Sequence, residues 1–277
     1  MGRMTDHSED GGPPTTALLV TTDGRRRYLT FNRPEVLNAL NRELTRAFAT
    51  AVKEFTLDDS VHVAIINGAG GRSFSTGGDL KEMSTRIDGP AARGGHDVPT
   101  AESVPWYGPL LRCDKPVVAA IDGYCIAAGF ELSLLCDIRL ATRQSVFGLP
   151  EPRRSMMAGP ALHHLSRMIP LGEAMRIHLT GSPIAAQRAY EIGLVQGLSE
   201  DSAGLATLTD EIVNDILACS PLALRSIKQV IRAGNDASLD QSWQVSIPLQ
   251  ERLLNSQDAV EGTRAFVERR SPRWTGT

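Results

Sequence analysis

Several things are scarce in this sequence. Its 277 residues include four cysteines (Cys113, Cys125, Cys136 and Cys219) and no Cys-x-x-Cys pair. Neither a zinc site nor a disulfide framework is indicated. Three of the four lie in apolar stretches and read as reduced core thiols. No apolar run approaches the ~20 residues of a membrane-spanning helix. Charge of neither sign dominates: 29 Lys and Arg stand against 32 Asp and Glu, leaving a net charge of −3. The basic surplus expected of a nucleic-acid binder is missing. So are the Gly-x-Ser-x-Gly elbow of serine hydrolases, the phosphate loop ending in Gly-Lys and the Gly-x-Gly-x-x-Gly dinucleotide fingerprint. No repeat of fixed period stands out. Residues 1–15 are polar and lack the apolar segment of a secretory signal. They read as a disordered tail, and the protein as cytoplasmic.

What is present suffices for a large core, since 42% of the residues are hydrophobic. One to two domains are expected at this length. Residues 17–22 and 28–32 form short β-like runs around Asp23-Gly24, a hairpin signal. Residues 37–55 carry Leu37, Leu40, Leu44, Phe48, Val52 and Phe55 at helical spacing, which predicts an amphipathic helix. Residues 61–66 read as a strand and 74–78 as a lead into a helix starting at 79–83. Residues 85–104 are rich in Gly, Pro and Ala and read as a long loop, either a site cover or a plain linker. Residues 106–111 begin a helix. From Pro160 onward the pattern is helical: 161–169, Leu171–Thr180, 184–192, Ser202–Ala218, 221–233, 239–255 and 259–269. Ser220-Pro221 is a capping residue followed by proline at the first helical position.

The chain is organised around residues 115–151. Residues 116–121 are apolar and read as a buried strand. Gly123 breaks the run. Ala127-Ala128-Gly129 leads into a helix over 130–137 with Glu131 in its first turn. Ile138–Thr142 is a second strand. Phe147-Gly148-Leu149-Pro150-Glu151 ends the stretch on a second acid. Two carboxylates thus stand twenty positions apart in largely apolar sequence. Apolar surroundings raise a carboxyl pKa towards neutrality, which suits general acid–base work.

Residues 115–151 resemble the signature of the crotonase family, the enoyl-CoA hydratase/isomerase superfamily. Three further segments agree: Asn32-Arg33-Pro34 with Asn38-Ala39-Leu40, Phe74-Ser75-Thr76-Gly77-Gly78-Asp79-Leu80, and Glu261-Gly262-Thr263-Arg264-Ala265-Phe266. The resemblance spans about residues 16 to 270. It implies an α/β fold: a spiral of strand–strand–helix units over 16–200, then a helical trimerisation region over 201–277. It also implies a homo-oligomer, a trimer or a dimer of trimers. By resemblance, Gly78 and Ala128 supply two backbone N–H groups that polarise an acyl-thioester carbonyl. Many relatives have glycine where this chain has Ala128; alanine keeps the N–H. Glu131 and Glu151 match the two acids of hydratases, one activating water for attack on C3 and the other exchanging the proton at C2. Leu37, Ala39, Thr76, Asp79, Leu80 and Lys81 match positions that line coenzyme A. Lys81 is either a phosphate contact or a solvated helix lysine. No metal or redox cofactor is implied; coenzyme A belongs to the substrate.

The implied activity is reversible hydration of a 2-enoyl-CoA to a 3-hydroxyacyl-CoA. Other reactions of the scaffold stay open, including dehydration of a specialised hydroxyacyl-CoA, double-bond isomerisation and a non-catalytic RNA-binding role. The fold hosts many chemistries. One departure bears on acyl specificity and, to a lesser degree, on the reaction. After Pro150-Glu151 the chain reads Pro152-Arg153-Arg154-Ser155-Met156-Met157-Ala158-Gly159-Pro160, where many hydratases carry an apolar residue and a Pro-Gly-rich turn. His163-His164 reads as structural, and Met156-Met157 as apolar packing rather than a metal site, with the lining of an adaptable acyl pocket as the alternative.

Overall fold

A computed structural model describes residues 16–87 and 105–277. The expected tail at 1–15 and most of the expected 85–104 loop lie outside the described residues. The elements run in order β1 (Leu18–Asp23), β2 (Arg26–Phe31), α1 (Arg42–Leu57), β3 (Val63–Gly68), β4 (Ser73–Ser75), α2 (Leu80–Ile87), α3 (Gly108–Arg112), β5 (Val117–Ile121), β6 (Tyr124–Ile126), α4 (Ala128–Leu134), β7 (Ile138–Thr142) and β8 (Val146–Gly148). Then come α5 (Ala161–Met168), α6 (Leu171–Thr180), β9 (Ile184–Ala185), α7 (Ala186–Glu191), β10 (Gly197–Ser199), α8 (Ser202–Ala218), α9 (Pro221–Gly234), α10 (Leu239–Leu254) and α11 (Gln257–Val267).

Among the described residues two sheets form. One has six strands in the order β1-β2-β3-β5-β7-β10, and the other four in the order β4-β6-β8-β9. The β1–β2 hairpin and the β8–β9 pair are antiparallel; every other pairing is parallel. Successive strands alternate between sheets: β3 then β4, β5 then β6, β7 then β8. A helix follows each of these pairs. This is the expected spiral of strand–strand–helix units, and each turn of it stacks on the last.

β5 is buried along its whole length, as a strand covered on both faces must be. One face packs into the larger core, with Phe31, Phe48, Phe74, Phe130 and Phe147 among its fully buried side chains. The other face, with Val63, Ile65, Val118 and Leu140, is covered by α8.

Three expectations need correction. The helix predicted over 37–55 starts at Arg42, capped by the Asn41 side chain on the Leu44 N–H. Leu37 and Asn38 instead have φ of 55° each, outside any helix. The spacing misled because Leu37 and Leu40 are apolar for another reason: residues 37–40 lie beside residues 76–79 as a short extra ribbon. The segment after Pro160 is not purely helical, since β9 and β10 return to the sheets. Met157 is 82% exposed, contrary to the packing expected of it.

Candidate active site

The site is built where two loops meet. Residues 76–79 follow β4, and residues 127–129 follow β6, its parallel neighbour. Gly77 has φ of 86°, and a Cβ there would lie 2.6 Å from the Ala127 Cβ and 3.0 Å from the Ala128 nitrogen. Only glycine permits both the backbone shape and the approach. A Cβ on Gly129 would lie 2.5 Å from the Ser75 carbonyl oxygen, so α4 starts hard against β4. Ala127 itself has φ of 53° and ψ of −131°, an unusual conformation for alanine that turns β6 sharply into α4.

The 37–40 ribbon braces the first loop. Thr76 N–H donates to the Leu37 carbonyl (3.2 Å), Leu40 N–H to Gly77 (2.8 Å) and Asp79 N–H to Leu40 (3.0 Å). Asn38, fully buried, accepts from Arg33 N–H and donates to the Ala69 and Ser73 carbonyls. Its left-handed φ is one that asparagine tolerates well. With both loops held, the N–H groups of Gly78 and Ala128 donate to no acceptor among the described residues. The Ala128 N–H is also one of the unpaired donors at a helix start.

The two acids converge on the same place. Glu131 lies in the first turn of α4 and Glu151 opens the 3-10 turn Glu151–Arg154; both are buried. Burial, and then the neighbouring Glu151 charge, push the Glu131 carboxyl up to about 7, against two backbone donors that pull the other way. Those donors are Gly159 N–H and Ala161 N–H (3.4 Å), both on Oε1. Burial also raises the Glu151 carboxyl, opposed by its own backbone N–H and by Arg154. Glu151 Oε2 is buried and has no hydrogen-bond partner among the described residues. One carboxyl is therefore tied and the other left open. The Glu151 charge is, after burial, the second cause that raises Glu131.

The residues matched to coenzyme A positions are placed unequally. Leu37, Ala39 and Thr76 lie in the ribbon and the first loop. Leu80 and Lys81 open α2 on the surface. The Asp79 carboxylate is already engaged: it accepts from the Lys81 and Glu82 N–H groups and pairs with Arg33 at 2.9 Å. Burial works against its charge, but these donors hold its pKa below the usual value. Reading the residues alone missed Arg33 and Asn38 as braces, and Gly159, Ala161 and Tyr107 as neighbours of Glu131. Asn38 beside a proline-led turn was a usable signal. Gly159 and Tyr107 had none, because they reach Glu131 only through the fold.

A spiral α/β fold with paired backbone donors and two buried carboxyls defines a class suited to reactions of acyl carbonyl compounds. The chain belongs to the enoyl-CoA hydratase/isomerase family, whose model matches residues 27–277. It is 35% identical to an (E)-benzylidenesuccinyl-CoA hydratase of Thauera aromatica over 253 residues, 90% of this chain and 95% of that protein. It is 30% identical to a short-chain-enoyl-CoA hydratase of Clostridium acetobutylicum, across 91% and 95% of the two chains. The crystal structure of an enoyl-CoA hydratase from Mycobacterium tuberculosis H37Rv superposes with a TM-score of 0.85 at 36% identity, covering 95% of this chain and all of that one. Among the described residues no helix is long and apolar enough to cross a membrane.

Proposed function

We propose that this protein catalyses reversible addition of water to a 2-enoyl-CoA, giving a 3-hydroxyacyl-CoA. One observation carries the reading: two buried carboxyls with raised pKa stand beside two unpaired backbone N–H groups. In this reading the thioester oxygen accepts from Gly78 and Ala128. As hydroxide adds to C3, the C=C electrons move onto that oxygen, and the two donors stabilise the enolate charge. Glu131 takes the proton from the attacking water. Glu151 delivers a proton to C2 as the enolate collapses, so one water is added in all. The proton on Glu131 then passes to Glu151, which restores the starting state. Small residues at 77, 78, 128 and 129 let the thioester reach the backbone. Leu37, Ala39, Thr76, Leu80 and Lys81 line the coenzyme A path, and Asp79 contributes by capping α2. The working protein is a homo-oligomer.

The test is loss of enoyl-thioester absorbance with crotonyl-CoA, a longer 2-enoyl-CoA and an aryl-substituted one. The last belongs in the panel because Trp106 and Tyr107 line the cavity beside Glu131. Wild type should turn over at least one of the three. Glu131→Gln and Glu151→Gln should each lose roughly two to four orders of magnitude in kcat while still binding coenzyme A. A folded wild type that binds coenzyme A yet hydrates none of the three would overturn the reading.

A further inference from the structure

Tyr107 lies just ahead of α3, twenty-four positions from Glu131 in sequence. The fold brings the two together. A Cβ built on Gly159 would lie 3.5 Å from Glu131 Oε1 and 3.9 Å from the Tyr107 hydroxyl, so both groups flank the same point. The Glu131 charge is felt at the phenol: burial, and then Glu131, raise the Tyr107 pKa. The ring is held by a chain of aromatic contacts. Its edge meets Trp106 at 5.5 Å, Trp106 meets Phe48 at 5.9 Å, and Phe48 is buried in the main core. The hydroxyl has no hydrogen-bond partner among the described residues.

Between them is a cavity of about 40 Å³, lined by Trp106, Tyr107, Ala128, Glu131, Leu135 and Pro160, among others. That is room for at least one ordered water. A water needs two to four polar partners. Glu131 and Tyr107 are the residues of its lining with polar side-chain oxygens, while Ala128, Leu135 and Pro160 present largely apolar surface. Glu131 Oε1 is taken by Gly159 and Ala161, which leaves Oε2 for the water.

We propose that Tyr107 is a positioning residue whose hydroxyl holds the water that Glu131 activates. The proposal rests on the hydratase reading for its catalytic consequence, but the shared water is a property of the free protein. The phenol donates to the water and the water to Glu131, which favours the carboxylate. Among the described residues, Glu151 and Tyr107 are the titratable groups that face Glu131. Arg154 acts on the Glu151 side, and His178 lies behind, against the Ala161 carbonyl.

The experiment compares wild type with Tyr107→Phe in two measurements. The first is the Glu131 carboxyl titration in the free protein, followed by ¹³C-Glu NMR and assigned with Glu131→Gln. The variant should titrate higher, by roughly half a unit to one unit. The second is the pH profile of hydration. The acid limb should move up with it, and kcat should fall roughly tenfold with KM little changed. Should the Phe variant fail to fold, fluorotyrosine placed at 107 keeps the packing and strengthens the donor, and both values should move down. An unmoved titration with an unmoved acid limb overturns the proposal and leaves the hydratase reading intact. A shifted titration in a protein without hydratase activity does the reverse.

Discussion

Glu131 pulls stability and chemistry in opposite directions. A carboxyl held at about 7 in the fold and near 4.5 when unfolded binds more protons in the folded state between those values. Stability therefore falls as pH rises through that window, by roughly 3 kcal/mol in all for a shift of this size. Glutamine at 131 keeps an oxygen for the Gly159 and Ala161 donors and never ionises. Glu131→Gln should thus melt above wild type at pH 8, with the difference shrinking towards pH 5, while hydration is lost. Thermal unfolding at the two pH values decides it. An equal difference at both would mean that the Glu131 carboxyl is not raised. Nothing in the residue itself announces this behaviour. Its two donors come from residues 159 and 161, the first inside and the second just past the segment where the sequence departs from the common hydratase pattern. That segment looked like a mark of substrate choice, and its nearest visible role is to grip the acid.

The elements that aim the backbone donors are short, and their precision comes from contact rather than length. α4 has seven residues and no side-chain cap at its start. It is fixed at one end by Gly129 against Ser75. At the other end the buried Arg139 donates to the Ser133 and Cys136 carbonyls at 3.2 and 2.8 Å. Gly129→Ala puts a methyl group on the Ser75 backbone, which has no room to yield. The start of α4 must lift, and the Ala128 N–H moves with it. A lost donor of this kind costs roughly a hundredfold or more in kcat. The expected result is a folded protein with far-ultraviolet circular dichroism like wild type and hydration reduced by that order. Near-normal turnover would show that the exact seating of α4 does not matter. Strands of five residues or more and helices with clear caps were legible in the sequence. Ser202–Ala218 was bounded as found, and so was Ile138–Thr142. The three-residue strands β4, β6, β8 and β10 were not. Each is too short to show a period, and each exists because a parallel neighbour supplies its hydrogen bonds. The braces at 37–40 went unread for a related reason: two leucines at helical spacing also suit a ribbon buried on one side.

Across the whole molecule the spiral was legible because four motifs stand in order, and the C-terminal helices were legible as helices but not in their packing. α10 has sixteen residues and none of them is buried. Trp243, Ile247 and Leu254 on it are each more than half exposed, as are Ile227 and Ile231 on α9 and Phe266 and Val267 at the end of α11. Phe266 reaches 86% exposure. Large apolar side chains left exposed on neighbouring helices mark an interaction surface. A helix with nothing buried gains little from its own fold, since tertiary packing supplies most helical stability. Other copies of the chain are the occupant proposed for this surface, in a trimer or a dimer of trimers. Light scattering after size exclusion should then give a mass near three or six times 29.9 kDa. Ile247→Glu combined with Phe266→Glu should lower that mass and make the melting temperature depend on protein concentration, because association and folding are linked. A monomeric mass at micromolar concentration in the wild type would mean that these side chains are covered by something other than a second copy.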